Sequence, residues 1–177
     1  MYERRSPFYR QLVEIPIKKL DMKTVGAFQL ARLAAAKVRA TDPVIGKIAI
    51  LSGGCPDYVQ RLGLELYLSP GEGGSLTEDG VGRAYEGMVL GLDGEFDSYF
   101  SDFTPLEREI LAALATGKIR PSEVAREVRK PIFNISKTLT TLMNYGVIER
   151  PMKGQYRIAD SVFADWLSRR FKPVAET

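Results

Sequence analysis

Residues 106–158 carry a succession of start and stop signals that few folds accommodate. Thr104-Pro105-Leu106-Glu107 reads as a capping box, in which a Thr hydroxyl reaches forward and a Glu carboxylate reaches back to the first free backbone N–H groups of a helix. The helix it opens is predicted over 106–115, and Gly117 stops it. Pro121-Ser122-Glu123 opens a short second helix to about residue 128. After a turn of a few residues a third helix is predicted over 131–145, closed by Gly146. Val147-Ile148-Glu149-Arg150 and Gln155-Tyr156-Arg157-Ile158, joined through Pro151-Met152-Lys153-Gly154, then read as a β-hairpin.

Helix, helix, turn, helix and hairpin in that order is the winged helix-turn-helix layout, with 131–145 in the place of the recognition helix. Ile132, Ile135, Leu139, Leu142 and Met143 recur at helical spacing and predict one buried stripe. The opposite face is Phe133, Asn134, Ser136, Lys137, Thr140, Thr141 and Asn144, polar with almost no charge. Solvated helices are normally rich in Glu and Lys, whereas short hydrogen-bonding side chains with one Lys suit base edges and phosphates in a major groove. The same face also suits a Thr-rich surface without a partner, and many winged helices contact protein instead of DNA. On the DNA reading the candidate interface is Phe133, Asn134, Ser136, Lys137, Thr140 and Thr141 on the helix, Arg129 and Lys130 at its entry, and Arg150 and Lys153 on the hairpin. Asn134 would pair with adenine, a Thr methyl would meet a thymine methyl, and the basic residues would hold phosphates.

Upstream, the signals predict a helical region. Residues 11–17 alternate like a strand that Pro16 confines to an edge or an end. A helix capped by Thr24 is predicted to about residue 39 with Phe28, Leu30, Ala31, Leu33 and Ala34 inward. A second opens at Thr41-Asp42-Pro43 and ends at Ser52-Gly53-Gly54, with Ile45, Ile48, Ala49 and Leu51 inward. A third is predicted over 57–68 with Tyr58, Val59, Leu62, Leu66 and Tyr67 apolar, a Gly-rich loop follows over 69–75, and a fourth runs over 79–90. The acidic and aromatic stretch 93–103 predicts a short bridging helix whose Phe96, Tyr99, Phe100 and Phe103 bury one side. Asp160 caps a last helix carrying Val162, Phe163, Trp166, Leu167 and Phe171.

Composition removes several chemistries. The 177 residues include no histidine and one cysteine, so neither a Ser-His-Asp nor a Cys-His nucleophile can be assembled and no disulfide can close within the chain. A metal site would depend on carboxylates, so no metal and no cofactor are expected. Gly71-Glu72-Gly73-Gly74 lacks the Gly-Lys-Ser/Thr ending of a phosphate-binding loop. Glu78 with Asp79, and Asp93, Glu95 and Asp97, read as helix-start and solvated charges, not catalytic pairs, and Cys55 reads as a small buried hydrophobe. Net charge is +3, but residues 104–177 hold thirteen Lys and Arg against eight Asp and Glu, whereas 1–103 hold twelve against fourteen. The basic half is thus the one with the helix-turn-helix pattern. No apolar run is long enough to span a membrane and the first residues lack a signal peptide's hydrophobic region, so a cytoplasmic location is expected.

Taken together, residues 127–150 and 154–171 resemble the winged-helix end of the archaeal AAA-type ATPases, relatives of the STAND and replication-initiator ATPases. Leu51-Ser52-Gly53-Gly54-Cys55-Pro56-Asp57 is similar to the Gly-Gly-x-Pro turn of their helical lid, and Ser6-Pro7-Phe8-Tyr9-Arg10 with the strand after it resembles the segment leaving their nucleotide-binding core. The phosphate-binding loop and most of that core are missing, and Lys130-Pro131 stands where relatives usually place an apolar residue and a Ser. The resemblance puts Arg61 near a lid position that approaches nucleotide, but without a core it implies no role for it. It implies a mainly α chain: a lid-like helical bundle with a short strand over 1–103, a winged helix-turn-helix with a small β-hairpin over 104–172, and a tail over 173–177. The expected function is non-catalytic binding of double-stranded DNA. The alternative is a protein-interaction module in which the lid-like half, with Phe96, Tyr99 and Phe100 as a candidate surface, meets a separate ATPase core or a second copy of the chain.

Overall fold

A computed structural model describes residues 19–69 and 74–171. The strand expected over 11–17, the core-leaving segment over 6–10, the centre of the Gly-rich loop and the tail over 173–177 lie outside the described residues. Within them the protein is mainly helical: α1 (Met22–Ala35), α2 (Asp42–Leu51), α3 (Pro56–Leu68), α4 (Glu78–Gly91), α5 (Asp93–Ser101), α6 (Pro105–Ala115), α7 (Pro121–Val128), α8 (Ile132–Asn144), β1 (Ile148–Met152), β2 (Gln155–Ile158) and α9 (Ser161–Phe171). The first four helices form a bundle, and α6 to β2 form a winged helix.

The expected capping box is present. The Glu107 amide donates to Thr104 Oγ1 at 3.4 Å, and Glu107 Oε2 accepts from the Thr104 amide at 2.8 Å. Gly146 lies just past α8 with φ +72°, a left-handed conformation open to glycine without steric cost. β1 and β2 pair antiparallel with Ile148 opposite Ile158 and Glu149 opposite Arg157, and the ladder is irregular between Glu149 and Met152, where Pro151 has no N–H to give. The Tyr156 amide donates to Ile119 O at 2.8 Å, fastening the hairpin to the α6–α7 turn.

Two expected caps and faces differ. Asp21, not Thr24, caps α1: its carboxylate accepts from the Thr24 amide at 2.7 Å, which holds it below the usual carboxylate range. α1 buries Val25, Gly26, Gln29 and Leu33, whereas Leu30, Ala31 and Ala34, expected inward, are exposed. An Ala-rich helix has little apolar contrast around its circumference, and its buried face carries a polar side chain, Gln29, beside Val25 and Leu33; Gln29 Nε2 donates to Val59 O at 2.6 Å in the interior. Tyr67 on α3 is also exposed.

Buried side chains form one continuous cluster from Leu33, Ile48, Leu62 and Leu66 through Phe96 and Phe100 to Ile110, Ile135, Leu139, Leu142, Phe163 and Trp166. The aromatics of α5 therefore have a partner already. Phe96 lies 5.3 Å from Phe163 and 5.7 Å from Trp166 between ring centroids, and Phe100 lies 6.2 Å from Trp166. Phe96 and Phe100 are unavailable as a docking surface, and only Tyr99 of that trio is exposed. The acidic residues around them are not merely solvated charges: Asp93 Oδ1 accepts from Trp166 Nε1 at 2.7 Å, and Asp97 pairs with Arg170 at 2.6 Å. Tyr58 donates to Asp160 at 2.5 Å and Tyr85 to Asp165 at 3.1 Å, so α3, α4 and α5 all hold α9. At the same seam the α2–α3 turn runs so close to α9 that a Cβ on Gly53, itself at φ +57°, would collide with the Ser161 hydroxyl.

Candidate nucleic-acid interface

α8 packs on the core through Ile135, Leu139 and Leu142, all fully buried, with Met143 half-buried beside them. Ile132 departs from the expected stripe and is 54 % exposed, because as the first helical residue it lies beyond the turn that α8 packs against the core. The opposite side follows from 3.6 residues per turn: Phe133, Lys137, Thr140, Thr141 and Asn144 share the outward stripe, and Asn134 and Ser136 fall on its two flanks. Phe133 is 75 % exposed, Asn134, Ser136, Lys137 and Thr140 are exposed, and Thr141 is half-buried.

The entry to α8 is a tight turn. The Lys130 amide donates back to Ala125 O at 3.1 Å, and Arg129 sits in the left-handed region at φ +54°. For a side chain with a Cβ that region costs about 1–2 kcal/mol. Pro131 precedes the helix, and its carbonyl accepts from the Asn134 amide at 3.0 Å. α8 has no side-chain cap and no acidic residue in its first turn. Its positive dipole end is left uncompensated beside Arg129 and Lys130. Arg150 and Lys153 are exposed on the hairpin that packs against α8.

Charge around this face is also unspent. Ion pairs among the described residues engage Arg61, Arg157, Arg169 and Arg170, and none engages Arg129, Lys130, Lys137, Arg150 or Lys153. Arg61 is held by Asp57 at 2.8 Å and Glu95 at 3.5 Å. Asn134 and Ser136 likewise make no side-chain hydrogen bond within the described residues. The threonines differ: Thr140 donates its hydroxyl to Ser136 O at 3.0 Å and Thr141 to Lys137 O at 3.3 Å. They are thus spent as donors, which the residue types alone do not reveal. Beyond the predicted set, the structure adds Ile132, Tyr145 at the far end of α8 and Met152 on the hairpin, all exposed.

Elsewhere, Cys55 is half-buried against the core at the start of α3. A groove of about 420 Å³ lies between α1 and α3, lined by Phe28, Leu33, Ala36, Val59, Leu64 and Tyr67. No helix among the described residues is long and apolar enough to cross a membrane.

No protein-family model matches the chain, and no curated protein matches it. Among solved structures the chain is similar to a Walker-type ATPase of Pyrococcus abyssi, with a TM-score of 0.74 at 21 % identity over 85 % of this chain and 43 % of that one. At such identity the likeness is one of fold. The chain spans less than half the length of that ATPase and shares the architecture of a part of it, a helical bundle followed by a winged helix.

Proposed function

We propose that the α8 face and the adjoining hairpin bind double-stranded DNA, and that the chain does so without catalysing a reaction. The observation that carries this reading is the gathering of five cations, Arg129, Lys130, Lys137, Arg150 and Lys153, around one outward helix face, none of them in an ion pair among the described residues and with no acidic residue in the first turn of α8. Uncompensated basic side chains around a helix of groove-filling size suit the phosphate backbone, and Asn134, Ser136 and Lys137 supply groups for base edges. Gel shifts or anisotropy on random duplex at low salt test it. Micromolar or tighter binding is expected, with log affinity falling against log salt at a slope of about −4 to −5 if all five cations meet phosphate. Lys137→Glu combined with Thr141→Glu should lower affinity at least tenfold, and no binding by the unaltered chain at micromolar protein refutes the reading.

A second reading draws on the other end of the molecule. Leu64, Tyr67 and Leu68 are exposed on α3 beside the α1–α3 groove, an apolar surface of the kind that meets protein. The fold likeness to part of a larger ATPase supports a separate ATPase core, or a second copy of this chain, as the partner there. A complex formed through that side survives the α8 double substitution.

A further inference from the structure

Thr138, Thr140 and Thr141 lie within one turn of α8, and each donates its hydroxyl to a carbonyl four residues back: Asn134 O at 3.0 Å, Ser136 O at 3.0 Å and Lys137 O at 3.3 Å. A hydroxyl has a single proton, so none of the three has one left for a base edge. They offer a methyl and an acceptor lone pair. Two turns toward the N-terminus on the same stripe stands the Phe133 ring, with Ile132 exposed beside it. Donors to bases along the outward side are thus left to Asn134, Ser136, Lys137 and, at the far end, Asn144, whereas Phe133 presents carbon and Thr140 and Thr141 present a methyl and an acceptor. In the major groove the apolar feature of a base pair is the C5 methyl of thymine.

We infer that α8 selects its duplex through thymine methyl groups, packing the Phe133 ring and the Thr140 and Thr141 methyls against them, so that its partner is A·T-rich double-stranded DNA. The inference rests on the duplex-binding reading above. Asn134 works in the same direction, because its amide fits adenine N6 and N7 as a bidentate pair. The bordering charge favours DNA over an apolar protein partner: Lys130 and Lys137 flank Phe133 in sequence and have no acidic partner of their own, so a protein covering Phe133 would have to bring acidic groups with it.

The test is anisotropy with the full chain at low salt on two A·T-rich duplexes of one sequence, one containing thymine and the other deoxyuridine, which differ in the methyl alone. Each methyl buried against carbon is worth about fourfold in affinity, so two or three such contacts predict binding about fifteenfold to sixtyfold weaker with deoxyuridine. A G·C-rich duplex carrying 5-methylcytosine should bind more tightly than its cytosine counterpart. The triple variant Phe133→Ala, Thr140→Ser and Thr141→Ser keeps the hydroxyls and cations and loses the carbon contacts. It should bind the thymine and deoxyuridine duplexes alike. Equal affinity of the unaltered chain for thymine and deoxyuridine duplexes overturns methyl readout while leaving duplex binding standing. Failure to bind either duplex overturns duplex binding itself.

Discussion

Arg129 holds a backbone conformation that glycine would adopt without strain, at φ +54° in the turn where α7 gives way to α8. Asn or Gly is the usual occupant of such a position, since a Cβ there crowds the following carbonyl. An arginine that accepts this cost and engages no carboxylate has its charge available for something outside the chain. Arg129→Gly therefore separates folding from binding. Its thermal midpoint should hold or rise, because relief of about 1 kcal/mol offsets the extra freedom of glycine in the unfolded chain. Its duplex affinity should fall, with the salt slope shallower by about one. A parallel loss of midpoint and affinity would show that the arginine serves the turn and not a ligand.

Among the elements, α9 is the one most tied to its neighbours by polar contacts. Asp160 accepts from the Val162 and Phe163 amides at 2.9 and 3.0 Å, capping α9, and its other oxygen takes the Tyr58 hydroxyl from α3. Tyr85 of α4 reaches Asp165 one turn on. Burial, then the neighbouring carboxylate, pushes both phenols well above the ordinary tyrosine value near 10. Folding thus favours the protonated phenols. Their contribution is complete below pH 10, where the unfolded chain also keeps its protons, and is lost as pH rises beyond it, at up to about 1.4 kcal/mol per pH unit for each tyrosine. Denaturant unfolding between pH 9 and 11 should show a fall in stability that Tyr58→Phe with Tyr85→Phe makes shallower; an unchanged slope would mean the phenols ionise as freely in the fold as out of it. The caps, the Gly146 stop and the hairpin of the winged helix are all legible in the sequence, because each is a local rule satisfied within a few residues. α1 shows where such reading fails: its buried face includes Gln29, whose amide meets Val59 O on another helix, and a polar side chain turned inward by a partner thirty residues away leaves no local mark in the sequence. The α8 donors fail for a related reason, since Thr at positions 140 and 141 names a hydroxyl but not which carbonyl receives its proton.

At the scale of the molecule, the boundary expected near residue 103 coincides with dense packing. The side chains of Phe96 and Phe100 meet Phe163 and Trp166 across it, and the buried cluster runs on without interruption from the first helices to the last. Phe163, 1 % exposed, touches the aromatics of α5 and α9 together. Phe163→Ala should cost about 3–5 kcal/mol. Far-ultraviolet and near-ultraviolet circular dichroism should then shift to lower denaturant in one common transition, as one core requires. Two separated transitions, one of them unmoved, would mean that the halves fold independently despite this contact.

Trp166 is the sole tryptophan of the chain, and it lies on that seam, its N–H held by Asp93 and the Arg170 guanidinium 5.1 Å from its ring centre. The protein thereby carries its own optical probe at the joint between the helical bundle and the winged helix. Parting α5 from α9 would wet the indole and move its emission to longer wavelength. Any ligand that alters how the two ends sit together, whether nucleic acid on α8 or protein on α3, can be followed at that one fluorophore with no label added.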